Sequence, residues 1–502
     1  MNAVLQAEDN PQRPLFERLA TNADALRATT AEQRVAKIRR LLAAILGVRP
    51  AILEAGRKEL RLSPTDLDAQ LLMVKAEAEF ICKHLAAWMA PQPVQGSLMT
   101  LGKRSYIQYE PKGVVLHVST WNAPIAEAFV PGMGAIAAGC AFVLKPSELA
   151  PHSAQVLADI VASVFKDDEF AVVQGGADVA TDLLKLPFNH FFYIGGHAVG
   201  RIILRAAAEH FATVTLEMGG KNPVVIDASA DLAEAGRKIA WGRLANAGQV
   251  CVAPDYALVQ ASVADAFVTE LAQAMRAMYD AAGTGFQESA DLPRIVNRRH
   301  FDRIKALLDD ALAKGARVEL GGHTDAEDLY IEPTILSHVT EDMRIMQEEV
   351  FGPILCVLPY TTREAAIATI RRRPKPLSSY VFAKDRDAID WFLAHTTSGS
   401  TVVNHNLIQS GTNPYLPFGG VNASGRGRLG GFATFQECSN ARSVVEDEYP
   451  AGDPNLMFPP YSDKYKQMIG KMLAKEIKLP DAAINLINGI IKTTSVFSRA
   501  KH

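Results

Sequence analysis

The sequence predicts an α/β protein built on a parallel, doubly wound sheet. From about residue 113, the short apolar runs GVVLHVS, CAFVLKP, FAVVQGG, HFFYIGG and VTLEMGG alternate with helix-type segments. Continuous apolar strands separated by helices are the signature of a parallel sheet covered on both faces. A second alternating region follows Glu217, with NPVVIDAS, YALVQAS and GPILCVLPY as its strands. The chain has 502 residues, more than one hydrophobic core usually supports, so two or three domains are expected.

Residues from about Ala20 to Met89 read as helices. RVAKIRRLLAAILGVR repeats its apolar positions at helical spacing with charges on the other face, and the Ser-Pro of ELRLSPTDLDAQ marks a helix boundary. SLMTLGKRSYIQYEPKG alternates and ends in Pro-Lys-Gly, which predicts a β-hairpin or arm. The small-residue segment IAEAFVPGMGAIAAG predicts a helix between the first two strands of the parallel region. VLADIVASVF, VATDLLKL and GRIILRAAAEHF continue the alternation. The sequence holds no internal repeat and no low-complexity tract.

The composition narrows the function. With 48% hydrophobic and 21% charged residues it is ordinary for a soluble enzyme, and a net charge of −3 gives no reason to expect nucleic acid as a partner. The cysteines Cys82, Cys140, Cys251, Cys356 and Cys438 are irregularly spaced and form no CxxC pair. Neither a disulfide framework nor a metal site is expected, and a reducing, cytoplasmic setting is. No signal peptide is read in MNAVLQAEDNPQRP, and no run approaches the ~18 apolar residues of a spanning helix.

One cysteine is out of place. Cys140 lies among aliphatics in GCAFVLKP, whereas Cys251 lies among small and polar residues in NAGQVCVAPD. A thiol there reads either as an inert loop residue or as a nucleophile, which would need activation to thiolate. Three side chains suit a site around it. Glu217 closes the strand VTLEMGG as a candidate base. Asn122 ends GVVLHVS with an amide that can donate to an oxyanion. Glu349 enters the second region, with Phe351 two residues on. Each also reads as a cap, turn or surface group. For a nucleotide, YIGGHAVGR places Gly195 and Gly196 between a strand and a helix N-terminus, which suits a pyrophosphate or is simply a tight turn. In VLKPSELAP, Lys145 ends a buried strand with Ser147 and Glu148 beside it, where it can hold a ribose or phosphate or snorkel to solvent.

Together the segments WNAPI, AAGCAFVLKPSE, YIGGHAVGR, TLEMGGKNPVVID, NAGQVCVAPDY, EEVFGPIL and LPFGGVNASGRG resemble the NAD(P)-dependent aldehyde dehydrogenase superfamily over roughly Ala20 to Val445. CVAPDYALV and RIVNRRHFDRI resemble its class-3 and fatty-aldehyde branch. The resemblance implies a Rossmann-like cofactor domain (residues 1–98 and 113–217), an α/β catalytic domain (218–405), a β oligomerisation arm (99–112 and 406–448) and a C-terminal helical tail (449–502). It implies NAD or NADP as cofactor, a hydrophobic aliphatic or aromatic aldehyde as substrate, and a homodimer. In the implied mechanism Cys251 attacks the aldehyde, Asn122 and the Cys251 N–H hold the oxyanion, and Glu217 activates water to release the acid from a thioester. Lys145, Ser147, Glu148, Gly195, Gly196, Trp121, Glu349 and Phe351 are the implied cofactor contacts.

Two departures from the family pattern stand out. Ile194-Gly195-Gly196 replaces the common Thr-Gly-Ser turn, removing two hydroxyls near the cofactor. The tail is long, and a helix over about 480–497 would carry Ile484, Ile487 and Ile491 on one face, to pack on the substrate funnel, a partner subunit or a membrane surface. Two other functions stay open: a CoA-acylating dehydrogenase, against which Glu217 argues, and a non-redox thiol hydrolase or binding protein. The hydrolase would want a histidine near the thiol, and none follows Cys251 until His300.

Overall fold

The computed structural model describes residues 10–96, 100, 103–409, 413–447 and 459–474. The chain divides into two units, one of Met1–Leu85 and Pro111–Cys438, the other of Ala86–Glu110 and Ser439–His502.

The first unit opens with helices. Helix Ala31–Gly47 begins at a capping box, in which the Thr30 side chain accepts from the Gln33 N–H and the Gln33 side chain accepts from the Thr30 N–H. Its apolar stripe buries Ile38, Leu41 and Ile45. The Ser-Pro boundary falls where expected, because Pro64 opens helix Pro64–Met89, a position where a missing N–H costs nothing.

The first sheet has six strands in the order Gly425–Arg426, Thr213–Met218, His190–Gly195, Val114–Val118, Ala141–Lys145 and Phe170–Val172. All neighbours run parallel except the short Gly425–Arg426 strand. The chain starts at Val114–Val118, winds one way to Phe170–Val172, then returns to the other side with His190–Gly195. That reversal is a topological switch point, and open α/β sheets bind ligands beyond the strand C-termini there. Leu116, Val143, Phe191 and Leu216 fill the core beneath it.

The second sheet has seven strands in the order Arg317–Leu320, Thr334–Ser337, Ile354–Tyr360, Tyr256–Gln260, Pro223–Ile226, Ser378–Phe382 and Ser400–Val403. Only its first pair is antiparallel. Successive residues feed opposite cores: Val225, Tyr256 and Leu336 enter one, and Val224, Ala257 and Ile335 the other. This is the period-2 alternation of a sheet covered on both faces.

Both sheets belong to the first unit. So does 406–438, which the sequence reading grouped with the arm. Gly425–Arg426 pairs with the first sheet, and helix Gly431–Glu437 packs on helix Pro124–Ala138, where Gly134 leaves room for Thr434. The second unit thus takes in Ala86–Glu110 and Ser439–His502, where the sequence pattern suggests an arm of 99–112 and 406–448.

In the second unit, Lys103–Pro111 lies between Gln92–Pro93 and Ser439–Asp447 in a three-stranded sheet. Its strands are tied by the Tyr106 hydroxyl, which donates to Glu446 (2.8 Å), and by Arg442 with Glu110 (3.3 Å). A short helix, Asp463–Leu473, also belongs to this unit. The tail stripe Ile484, Ile487 and Ile491 lies outside the described residues. Among the described residues, no helix is long and apolar enough to cross a membrane.

Candidate active site

A cavity of about 300 Å³ opens at the switch point of the first sheet. Its wall includes Trp121, Asn122, Gly195, Gly196, Glu217, Cys251, Glu349 and Phe351. Eight of the side chains and turns singled out from sequence thus come together from five separate stretches. Lys145, Ser147 and Glu148 are not in this wall. Lys145 closes the neighbouring strand, in register with Val118, and its buried Nζ donates to Glu148 at 2.9 Å.

Cys251 follows a sharp turn. Asn246, Ala247 and Gly248 all have left-handed backbone, with φ of 49°, 52° and 76°. Gly248 is required on a second count, because a Cβ there would lie 2.2 Å from the Gly352 carbonyl oxygen. Buried side chains supply the hydrogen bonds that so irregular a loop lacks. Asn222 donates to the carbonyls of Cys251 (2.8 Å) and Ala253 (3.0 Å) and accepts from the Ser378 N–H (2.9 Å). Arg243 donates to the Pro254 (2.6 Å), Gly248 (3.1 Å) and Gly352 carbonyls. Gln249, fully buried, donates to Asn246 and Arg294 and accepts from Val296.

Asn122 is held on three sides. Thr120 donates to its Oδ1 (3.0 Å), Asn246 donates to its carbonyl (2.9 Å), and its Nδ2 donates to the Gln249 carbonyl (3.0 Å). That last bond uses one amide hydrogen. The second is left for whatever enters the cavity. The Cys251 N–H donates to no group among the described residues.

Glu217 lies next to the edge of the sheet, paired with Ile194 on one side and with Gly425 of the edge strand on the other, and is 2% exposed. Its Oε1 has no hydrogen-bond partner. Burial, then repulsion from Glu127, carries its carboxyl well above the ordinary range. Burial, then the charge of Glu217, pushes the Cys251 thiol up as well. Glu349 accepts from the Gly220 N–H (3.2 Å), and its carboxylate lies against Gly219, where a Cβ would meet Oε2 at 2.2 Å. Burial pushes Glu349 up to about 7. Phe351 packs edge-on to Trp121, with ring centroids 5.7 Å apart.

The wall also holds Glu127, His300 and Arg303. Glu127 is the one charge in IAEAFVPGMGAIAAG, a visible signal. His300 and Arg303 come from the first turns of helix Arg298–Ala313. A histidine therefore does share the cavity with Cys251. Its ring packs on Trp121 at 5.4 Å, and burial drops it to about 4.

The cavity also borders a turn that suits the phosphates of a nucleotide. Gly196 caps helix His197–Glu209 without any side-chain bond, leaving the first N–H groups open, and nothing lies within 4 Å of a Cβ built there. A doubly wound sheet with an open helix N-terminus at its switch point, beside a thiol and a carboxylate with an unpartnered oxygen, has the parts of a nucleotide-dependent enzyme.

More particularly, the chain belongs to the aldehyde dehydrogenase family, whose pattern it matches over residues 15–444. It is 39% identical to the 4,4'-diaponeurosporen-aldehyde dehydrogenase of Staphylococcus aureus, over 86% of this chain and 93% of that protein. It is 41% identical to the dimeric, NADP-preferring aldehyde dehydrogenase of Canis lupus familiaris, over 75% of this chain and 81% of that protein. A solved structure of the substrate-bound state of Staphylococcus aureus AldH superposes with a TM-score of 0.87 at 36% identity, covering 92% of this chain and all of that one. The chain is an aldehyde dehydrogenase that uses NAD or NADP.

Proposed function

We propose that the protein oxidises a hydrophobic aldehyde, medium- or long-chain aliphatic or aromatic, to the carboxylic acid through a thioester on Cys251. The observation that carries this reading is the partnerless buried Oε1 of Glu217 in the cavity that holds the thiol. A buried carboxylate oxygen without a donor is costly unless a ligand or water supplies one.

Cys251 first releases its thiol proton to water; Sγ then bonds to the aldehyde carbon, and the carbonyl π electrons move to oxygen. The free Asn122 amide hydrogen and the Cys251 N–H stabilise that oxyanion. NAD or NADP, when bound, would supply the hydride acceptor that takes this carbon to the thioester level. Glu217, ionised, takes a proton from water, the hydroxide adds to the thioester carbon, and the thiolate departs with the acid released. Glu217 is useful only if water is the final acceptor, which supports hydrolysis over transfer to CoA. Gly195, Gly196, Trp121, Glu349 and Phe351 would hold the cofactor at the cavity, with Lys145, Ser147 and Glu148 at the adjacent strand end.

A homodimer is supported by the canine relative's name and by the strand arm. A cytoplasmic location is consistent with the unpaired thiols.

The test is a panel of n-alkanals of increasing length and aromatic aldehydes, assayed with NAD and with NADP, with and without CoA. Rising kcat/KM with chain length and acid as product is the expected result. Acyl-CoA formation, or no cofactor reduction with any aldehyde, would overturn it.

A further inference from the structure

Glu127 is in the wall of two cavities. One is the catalytic cavity. The other, of about 50 Å³, is lined by Met73, Glu77, Val130, Phe418, Leu429 and Asn413, among others. Glu127 is thus the residue that the walls of the thiol's cavity and of this second space share. Its wall is apolar apart from two carboxylates and the Asn413 amide.

Both carboxylates are short of donors. Glu77, on helix Pro64–Met89, is 6% exposed. Its Oε1 accepts from the Gly431 N–H at 2.7 Å, and its Oε2 accepts from nothing among the described residues. The Glu127 carboxylate, on helix Pro124–Ala138, has no hydrogen bond or ion pair among the described residues. No lysine, arginine or histidine is in the wall of the second cavity. Burial pushes Glu77 up to about 7, the direction expected of a carboxylate whose desolvation is not offset. The open oxygens of both carboxylates face space that water can reach, where a donor on a ligand can take the place of water. The volume suits a terminal group of a few atoms rather than a long chain.

We propose that the second cavity receives the far end of the aldehyde, and that Glu77 and Glu127 select substrates ending in a hydrogen-bond donor, such as a hydroxyl, over those ending in a methyl group. The proposal rests on the aldehyde-oxidising reading and refines it: the middle of the substrate is apolar and its distal end donates.

The experiment compares kcat/KM of the full-length enzyme for three aldehydes matched in length: an n-alkanal, an ω-hydroxyalkanal and an ω-trimethylammonio-alkanal, which carries charge without a donor. The hydroxyl form should exceed the alkanal by at least about tenfold. Glu127→Leu, and separately Glu77→Gln, should each collapse that ratio toward one. The amide oxygen introduced by Glu77→Gln can still accept from Gly431, and Glu127→Leu keeps the question answerable if the other variant fails to fold. A wild-type ratio of one or below overturns the proposal, and so does a preference for the trimethylammonio form with none for the hydroxyl. Cofactor reduction with none of the three overturns the underlying activity instead.

Discussion

Residues 139–145 and 245–255 each carry a cysteine, and they are held in place by opposite means. Cys140 leads into a strand whose five residues are all buried and paired with Val114–Val118, the middle three being paired with Phe170–Val172 as well. Its thiol donates to the Cys438 carbonyl at 3.3 Å and is otherwise packed, and burial pushes it up, away from thiolate. Cys251 belongs to no ladder. Its loop makes three left-handed steps and hangs from Asn222, Arg243 and Gln249, three side chains almost fully removed from water. Regular backbone satisfies itself and leaves its thiol idle. Irregular backbone must be satisfied by side chains, and so can present a thiol to a cavity.

The strongest way to break this comparison is to remove each thiol. Cys251→Ala should lower turnover by at least about 10⁴-fold, since the nucleophile is lost outright. Cofactor binding, followed by fluorescence titration, should persist. Cys140→Ala should leave turnover near that of the parent. Similar losses in both variants would mean that packing, not nucleophilicity, is what Cys251 supplies.

Glu217→Gln comes next, with a steady-state loss of about 10²–10⁴-fold. Rapid mixing should show a burst of reduced cofactor followed by slow turnover, because hydrolysis suffers more than acylation. The pH profile gives a second reading. The base must be ionised, and burial raises its pKa, so steady-state rate should climb with pH from neutral into the mildly alkaline range. Glu217→Gln should lose that climb. Equal loss in burst and steady state would move Glu217 upstream, to activation of the thiol.

Two asparagines separate the cavity from its scaffold. Asn122→Ala should cost about 10²–10³-fold in kcat, the effect of removing one oxyanion donor, with little change in melting temperature. Asn222→Ala strips the Cys251 and Ala253 carbonyls of their shared donor. It should destabilise the protein by about 1–3 kcal/mol in denaturant titration. If Asn122→Ala melts as readily as Asn222→Ala, both are scaffold.

The same contrast explains what was legible in the sequence. Strands such as Val114–Val118 and Ala141–Lys145 are dictated locally by apolar runs, and each was read to within two residues. Ser378–Phe382 and Ser400–Val403 were not read at all, because their serines and threonines, paired with one another across the strands, interrupt the apolar run. Asn122, Glu217 and Cys251 stood out as polar residues at strand ends or in a loop. Asn222, Arg243 and Gln249 did not. Their role lies in carbonyls up to 109 positions away, and no local pattern encodes such partners. His300 was noticed only as distant, yet helix Arg298–Ala313 brings it to the cavity wall.

Glu77 sharpens the comparison from the other side, as a polar group buried in a regular helix rather than beneath an irregular loop. Burial raises its folded pKa to about 7, and the Gly431 N–H offsets only part of this. In the unfolded chain the pKa is about 4.3. The folded state therefore holds the proton more tightly. The stabilisation from this group is fully present below the unfolded value, is lost as pH rises through about 7, and is flat above that. Measured against Glu77→Gln, the apparent Tm of the wild-type enzyme should accordingly fall as pH is raised from 5 to 7.5. Glu349, raised to about 7 by its own burial, contributes in the same sense, so Glu77 accounts for only a share. Glu77→Gln keeps an acceptor for Gly431 but cannot titrate, and it should flatten the slope by a few degrees. A slope identical in the variant would show that Glu77 is already ionised at pH 5, which requires that the helix, like the cysteine loop, has found it a donor.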